Sequence, residues 1–244
     1  MPSRFRSQKK ELQVSLLQSP LWRSELDSIA QGDRGTASVL MGFLTSEPVA
    51  RLRAAIALGR VSAAIFDKAP EEGRDIVRRL SWRLSEESGN IGWGVPEAMG
   101  EILSHSPRMA KDYRKIFFST LLDLGFDDNY VDNDTLRRSC YFAIGRFIRS
   151  CPEYGEEVRP LLRRGLDDVD LPCRGYAAWA LGMLAPDLND APALRRLAEA
   201  DIQAVCELTD GDELVTCNVS ELASNTMHGI RLMDRKEQLP EKTA

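Results

Sequence analysis

A short phrase of arginine and small residues returns along this chain and constrains its architecture. It reads RLRAAIALG at 51–59, RRSCYFAIG at 137–145 and RGYAAWALG at 174–182. A weaker copy without the arginine, GWGVPEAMG, stands at 92–100. The closing glycines recur at intervals of roughly 40 residues, a period typical of arrays built from helical pairs. The spacing predicts an all-α fold, a right-handed α-solenoid of about five helical pairs.

The chain divides into a cap, a repeat array and a tail. Residues 1–34 predict two short capping helices, the array covers 35–234, and 235–244 form a frayed polar tail. The predicted pairs, first helix with second, are 36–45 with 48–66, 70–85 with 96–104, 106–124 with 133–150, 154–166 with 170–184, and 191–208 with 212–233.

The small residues of the phrase predict close packing between neighbouring second helices. A closing glycine removes Cβ and lets another backbone approach, at about 1 kcal/mol of helix propensity. Each glycine is preceded by an alanine two residues earlier: Ala57, Ala98, Ala143 and Ala180. Because alanine is also small, we expect these positions to form the seam of the array.

The fullest form of the phrase, D-x-x-x-R-x-x-A-A-x-A-L-G, resembles the HEAT-like repeats first named in phycobilisome bilin lyases. It is carried by Asp170, Arg174, Ala177, Ala178, Ala180, Leu181 and Gly182. In the third copy Asp134 stands three residues before Arg137 instead of four. The resemblance covers most of 35–232. It implies the architecture and no activity, since such repeats serve many functions, most often as interaction surfaces.

Composition narrows the classes of function. The 244 residues carry a net charge of −5, which argues against general affinity for nucleic acid or an anionic membrane. Residues 1–11 lack the apolar core of a signal peptide, and no apolar run approaches the ~20 residues that span a bilayer. Five cysteines without a close pair favour a reducing, cytoplasmic setting over a disulfide framework.

The residues that usually carry catalysis are scarce. His105 and His228 are far apart, and no Cys-x-x-Cys is present to hold zinc or an iron–sulfur cluster. Cys140 falls in an apolar stripe, whereas Cys173 stands near a helix start that could stabilise a thiolate. We expect a protein that is not an enzyme and uses no cofactor or metal.

The second unit departs from the repeat. Residues 86–97, EESGNIGWGVPE, place three glycines, an indole and three carboxylates at the turn into the second helix. Glu87, Asn90, Trp93 and Glu97 are candidate binding residues there, because an indole offers a flat face and one donor. The alternative is a structural turn in which Trp93 fills the gap left by the missing arginine.

Later repeats add acidic residues at the corresponding edge. They are Asp127, Asp128, Asp132, Asp134, Asp167, Asp168, Asp170, Asp210, Asp212 and Glu213. They predict either a surface for a basic partner or helix N-caps, which accept unpaired N–H groups. The run 127–134 lacks the ligand order and central glycine of an EF-hand.

Arginines recur at one position of the phrase, at Arg51, Arg137 and Arg174. We expect them to form an internal ladder with acids of their own or the next repeat, with anion binding in the concave groove as the alternative. Further basic clusters lie at 78–83, 146–149 and 163–164 and would suit a HEAT-like DNA-repair enzyme. The net negative charge of the chain argues against this alternative.

The sequence therefore favours a scaffold, adaptor or assembly factor that binds another protein, one with a basic surface, through the concave edge of the solenoid. The alternative is a small-molecule or cofactor-handling protein, a lyase or chaperone of a prosthetic group, with a pocket near 92–97. The candidate binding residues are Glu87, Asn90, Trp93, Glu97, Tyr130, Asp134, Arg137, Asp170 and Arg174.

Overall fold

The computed structural model describes residues 4–85, 92–125 and 128–229. Its elements are, in chain order, α1 (Arg4–Leu12), a π-helical stretch (Gln13–Gln18), α2 (Trp22–Ala30), α3 (Arg34–Phe43), α4 (Pro48–Lys68), α5 (Pro70–Ser85), α6 (Val95–His105), α7 (Pro107–Ser119), α8 (Asp134–Ser150), a 3-10 turn (Pro152–Tyr154), α9 (Gly155–Gly165), α10 (Leu171–Leu181), α11 (Ala191–Glu199), β1 (Val205–Thr209), β2 (Leu214–Asn218) and α12 (Val219–Met227).

Helices α3 to α12 form five consecutive pairs, which confirms the predicted α-solenoid. The second helices of the pairs, α4, α6, α8, α10 and α12, each pack against the next and form a central row. The first helices, α3, α5, α7, α9 and α11, flank this row. The right-handed sense of the superhelix stays a prediction. Among the described residues, no helix has the length and apolar character needed to cross a bilayer.

The glycines of the repeated phrase mark the closest contacts within the central row. A Cβ on Gly59 would lie 2.8 Å from the carbonyl of Glu101, and one on Gly100 would lie 2.8 Å from that of Ala143. A Cβ on Gly145 would lie 2.5 Å from the Trp179 ring. The prediction that small residues form the seam is confirmed, because any side chain at these glycines would push neighbouring helices apart.

Several helices begin where a short polar side chain supplies the N-cap. The carboxylate of Asp170 accepts the backbone N–H of Cys173 at 3.0 Å, as predicted for the first turn of α10. At α8 the cap is Asn133, whose side chain accepts the N–H of Leu136 at 3.0 Å. Asp134, one residue later, is therefore left for another partner.

The prediction for the fifth unit was wrong in its details. The helices expected at 191–208 and 212–233 are shorter, and an antiparallel β-hairpin, β1 and β2, lies between them. Both strands contain valine, threonine and cysteine, and Gly211 adopts a left-handed φ of 94° in the turn. Short runs with leucine and valine fit either a helix or a strand by periodicity alone. The tail 235–244 falls outside the described residues.

Candidate functional site

The amino-terminal ends of the central-row helices lie along one edge, because successive second helices run in the same direction. We call this the amino edge and define it by Arg51 of α4, Glu97 of α6, Arg137 of α8 and Arg174 of α10. Most of the candidate binding residues fall on it. Glu87 and Asn90 lie outside the described residues.

Arg137 is the most tightly held side chain of the amino edge, with 2% of its side chain exposed. It donates to both oxygens of Asp168 at 2.9 Å and to Asp134 at 2.7 Å. Burial opposes its charge, but the hydrogen bonds that Arg137 donates to Asp168 and Asp134 outweigh burial and raise the pKa of Arg137. The predicted ladder is confirmed at this position, where one acid belongs to the same repeat and the other to the next.

The half-buried ring of Tyr130 lies beneath this guanidinium, whose Cζ is 5.3 Å from the ring centroid. Burial has the largest effect and raises the pKa of Tyr130, while the positive charge of Arg137 acts against this rise. The phenol therefore stays neutral and serves as a flat support for Arg137.

The ladder of arginines and acids predicted at Arg174 was wrong, because this arginine binds a backbone carbonyl and Arg138 takes the nearby acid. Arg138 binds both oxygens of Asp170, at 2.8 and 2.6 Å, and this bidentate contact lowers the pKa of Asp170 to about 2. Arg174 donates to the backbone carbonyl of Asp168 at 2.6 Å. The acids at this edge are thus used internally, both as caps and as ion-pair partners.

The cysteine near the start of α10 is not activated. Cys173 is buried, and burial together with the charge of Asp168 raises the pKa of its thiol. The predicted stabilisation of a thiolate at Cys173 was therefore wrong, because desolvation outweighs the helix start. Cys140 is a core residue, as predicted, and burial raises its pKa to about 12.

Trp93 and Arg51 fill the corner before α6. The guanidinium of Arg51 lies 5.9 Å from the Trp93 ring, which is half-buried against the core. Gly94 has φ 72°, and a Cβ there would lie 2.6 Å from the carbonyl of Leu44. The backbone of Leu44 therefore fills the space next to Gly94, and both the pocket near 92–97 and its structural alternative stay predictions.

Glu97 is buried in the central row with an unused oxygen. Only 6% of the residue is exposed, and its Oε2 has no hydrogen-bond partner. Burial raises the pKa of Glu97, and the charges of Arg51 and Arg146 act against that rise. The carboxyl can therefore hold a proton or accept a hydrogen bond from a donor that enters.

A second site, which the sequence did not reveal, joins the hairpin to the amino-terminal cap. The indole N–H of Trp22 donates to Asp212 at 2.8 Å. Arg23 donates to the same carboxylate at 3.0 Å and to the carbonyl of Asp210 at 2.9 Å. We call the contacts of Trp22, Arg23 and Arg53 with 210–212 the clasp.

Arg53 completes the clasp from α4. Its buried guanidinium donates to the carbonyl of Gly211 and to the carbonyls of Leu16 and Ser19, the last at 3.1 Å. Its Cζ also lies 5.1 Å from the ring of Trp22. Burial lowers the pKa of Arg53, while Asp212 opposes that effect. One arginine of the repeated phrase thus holds the cap, the first repeat and the hairpin together.

The middle of β1 is held by α10. The hydroxyl of Tyr176 donates to the carbonyl of Glu207 at 2.8 Å and accepts its N–H at 2.9 Å. Gly211 stands four positions after Glu207, so at most about 13 Å of chain links the α10 contact to the α4 contact. The hairpin therefore bridges from the fourth repeat to the first.

The register of the hairpin leaves one strand edge unpaired. In an antiparallel pair, residues alternately direct both N–H and C=O toward the partner strand and away from it. Glu207 directs both groups to Tyr176, so its opposite residue Thr216 faces away from β1, as does Leu214. Within the residues that the structure describes, no donor or acceptor pairs with these outward groups. Both residues are exposed.

No protein-family model matches the chain. An uncharacterized protein of Archaeoglobus fulgidus is 29% identical over 188 residues, which cover 76% of this chain and 92% of that protein. A designed armadillo repeat protein in complex with the peptide (KR)4 is 16% identical with a TM-score of 0.46, covering 93% of this chain and 100% of that one. A chain from the structure of the Pds5–Scc1 complex is 16% identical with a TM-score of 0.48, covering 92% of this chain and 30% of that one. The likeness is distant and carries neither activity nor partner.

Proposed function

We propose that this chain is a non-catalytic scaffold that binds a partner protein, and that the partner adds a strand to the outer edge of β2. The observation that carries the proposal is the unpaired, exposed edge at Leu214 and Thr216. An edge of alternating N–H and C=O groups is complementary to another extended polypeptide backbone. The strand has no charge, proline or bulge, the usual devices that keep an edge from pairing.

Charge favours a basic partner segment. Residues 197–229, which contain the hairpin, carry seven carboxylates and no lysine or arginine. Glu207 is exposed on the strand next to β2. An acidic surface speeds the encounter with a basic segment and makes the association weaken as salt is added.

The exposed candidates on the amino edge supply a second contact region in this proposal. Asp134 keeps 54% of its side chain exposed although it pairs with Arg137. Trp93 and Tyr130 are half-buried. The partner would touch these side chains from outside, whereas Glu97, Arg137 and Asp170 would position them from within.

The test removes a single outward donor. Thr216→Pro deletes the N–H that β1 does not use, so the hairpin ladder is preserved. Thr216→Val keeps that N–H and the strand preference, and it serves as the matched control. Both variants and the wild type are used as bait in affinity capture from the native host, after circular dichroism has shown the same helical content.

The proposal expects a stoichiometric protein that is captured by wild type and Thr216→Val but lost with Thr216→Pro. Its recovery should also fall as salt rises. Equal capture by Thr216→Pro would place the partner elsewhere, and a co-purifying small molecule without any protein would favour the cofactor-handling alternative.

A further inference from the structure

A cleft of about 430 Å³ lies between α3 and α5, on the flanking helices and away from the hairpin. Gly42 of α3 and Thr45, in the turn after α3, face Arg79, Trp82 and Arg83 of α5 across it. Residues at 79, 82 and 83 share one face of an α-helix, so all three point into the same space. The volume is within the range of small-molecule sites, which is about 300–1,000 Å³.

Within the described residues, no carboxylate pairs with either arginine of the cleft. Neighbouring Arg78 pairs with Glu71 and Asp75, whereas neither Arg79 nor Arg83 has an acidic partner in the described part of the chain. The Nε of Arg83 is also buried without a hydrogen-bond acceptor. In a chain of net charge −5, two guanidiniums one helical turn apart, with no carboxylate partner among the residues that the structure describes, form a local site for an anion.

Gly42 keeps the cleft open. A Cβ there would meet no heavy atom within 4 Å, whereas the glycines of the central row, such as Gly59 and Gly100, contact the neighbouring helix closely. Glycine disfavours a helix relative to alanine, and here no packing contact requires it. The indole of Trp82, 68% exposed, stands beside this opening.

We propose that the cleft binds a small ligand that joins a phosphate to a planar heteroaromatic ring, such as a nucleoside monophosphate. The phosphate lies between Arg79 and Arg83, and the ring stacks on Trp82 above Gly42. A phosphate monoester near pH 7 carries about −1.5 to −2 charges, so it neutralises both guanidiniums, whereas one carboxylate neutralises one. A flat ring matches the exposed indole face. This inference is independent of the proposed function.

The test is calorimetric titration of the full chain with the four common nucleoside 5′-monophosphates, adenosine and inorganic phosphate. We expect at least one monophosphate to bind, and adenosine and inorganic phosphate to bind at least 10-fold more weakly. Arg79→Gln and Arg83→Gln should each weaken monophosphate binding at least 10-fold. Arg195→Gln, at an exposed arginine of α11, is the matched control and should change nothing.

Gly42→Leu fills the cleft from a position where the fold has room. It should abolish monophosphate binding without lowering the Tm. The proposal is overturned if none of the four monophosphates binds at about 1 mM, or if Gly42→Leu and the two arginine variants bind as wild type does. Tighter binding of a single-stranded oligonucleotide than of every monophosphate would also overturn it, in favour of a nucleic-acid surface.

Discussion

The indole N–H of Trp22 donates a 2.8 Å hydrogen bond to the carboxylate of Asp212, a residue 190 positions later in the chain. Trp22 is fully buried, and the two arginines that flank it, Arg23 and Arg53, also bind the hairpin turn. The amino-terminal cap and the fifth repeat are thereby joined directly. A repeat array whose stability ordinarily sums over neighbouring units gains a long-range contact.

Trp22→Phe should loosen the hairpin, because it keeps an aromatic ring but removes the donor to Asp212. A hydrogen bond to a charged group contributes about 1.5–3 kcal/mol, so we expect a loss of that order in the free energy of urea unfolding. Hydrogen exchange should show faster exchange of the backbone amides of β1 and β2. Trp82→Phe, at an exposed indole, is the control. Unchanged hairpin exchange in Trp22→Phe would contradict the role of the clasp.

Gly145→Ala should destabilise the seam of the central row, because the new Cβ would lie 2.5 Å from the Trp179 ring. Overpacking of a tight contact costs about 1–3 kcal/mol. Gly42→Ala is the matched control, since its Cβ meets open space and alanine favours a helix. Thermal unfolding should show a lower Tm for Gly145→Ala and an unchanged or higher Tm for Gly42→Ala. Equal effects would mean that the seam tolerates a methyl group.

Asp170→Asn should lower the free energy of unfolding at pH 7 and change it little in acid. Its pKa falls from an ordinary value of 3.8 to about 2 in the folded state, chiefly because Arg138 binds the carboxylate. Such a group stabilises the fold above its unfolded pKa, and the benefit is lost as pH falls from about 4 to about 2. We expect a deficit of about 2 kcal/mol at pH 7 that shrinks across this window. Denaturant titrations at several pH values measure it, with exposed Asp167→Asn as the control.

Glu97→Gln should stabilise the fold at pH 7, whereas Asp170→Asn should destabilise it. Burial raises the pKa of Glu97, so the folded state holds a proton that the unfolded state releases above its ordinary pKa near 4.5. The contribution of Glu97 to the free energy of unfolding therefore falls as pH rises from 4.5 through the raised pKa of the folded state. The neutral amide should raise the Tm at pH 7 and leave it unchanged near pH 4. A lower Tm at pH 7 would show that the ionised carboxylate is needed by Arg51 and Arg146.

The repeated phrase predicted the solenoid because its small residues allow neighbouring helices to pack closely. Gly59, Gly100 and Gly145 each contact the next helix of the central row. The ion pair of Arg137 was also predictable, since Asp134 stands three residues before it in the sequence. The hairpin was not predictable, because its leucine and valine residues fit a helix equally well. The clasp was hidden for another reason: nothing local to Trp22 indicates a partner in the fifth repeat.

The free edge of β2 was likewise invisible in the sequence. It follows from which backbone groups face Tyr176, and that depends on a contact between Glu207 and a helix of the preceding repeat. The sequence predicted a protein partner with a basic surface and placed it along the concave edge of the solenoid. The structure instead draws attention to Leu214 and Thr216, whose outward groups are unpaired.

The proposed binding edge is tested most directly by hydrogen exchange at single-residue resolution, with and without the captured partner. In the free protein, the amides of Leu214 and Thr216 should exchange quickly, because they face solvent and not β1. In the complex, both amides should become protected while Val215, already paired with β1, changes little. If the partner binds and the amides of Leu214 and Thr216 still exchange quickly, strand addition at β2 is contradicted.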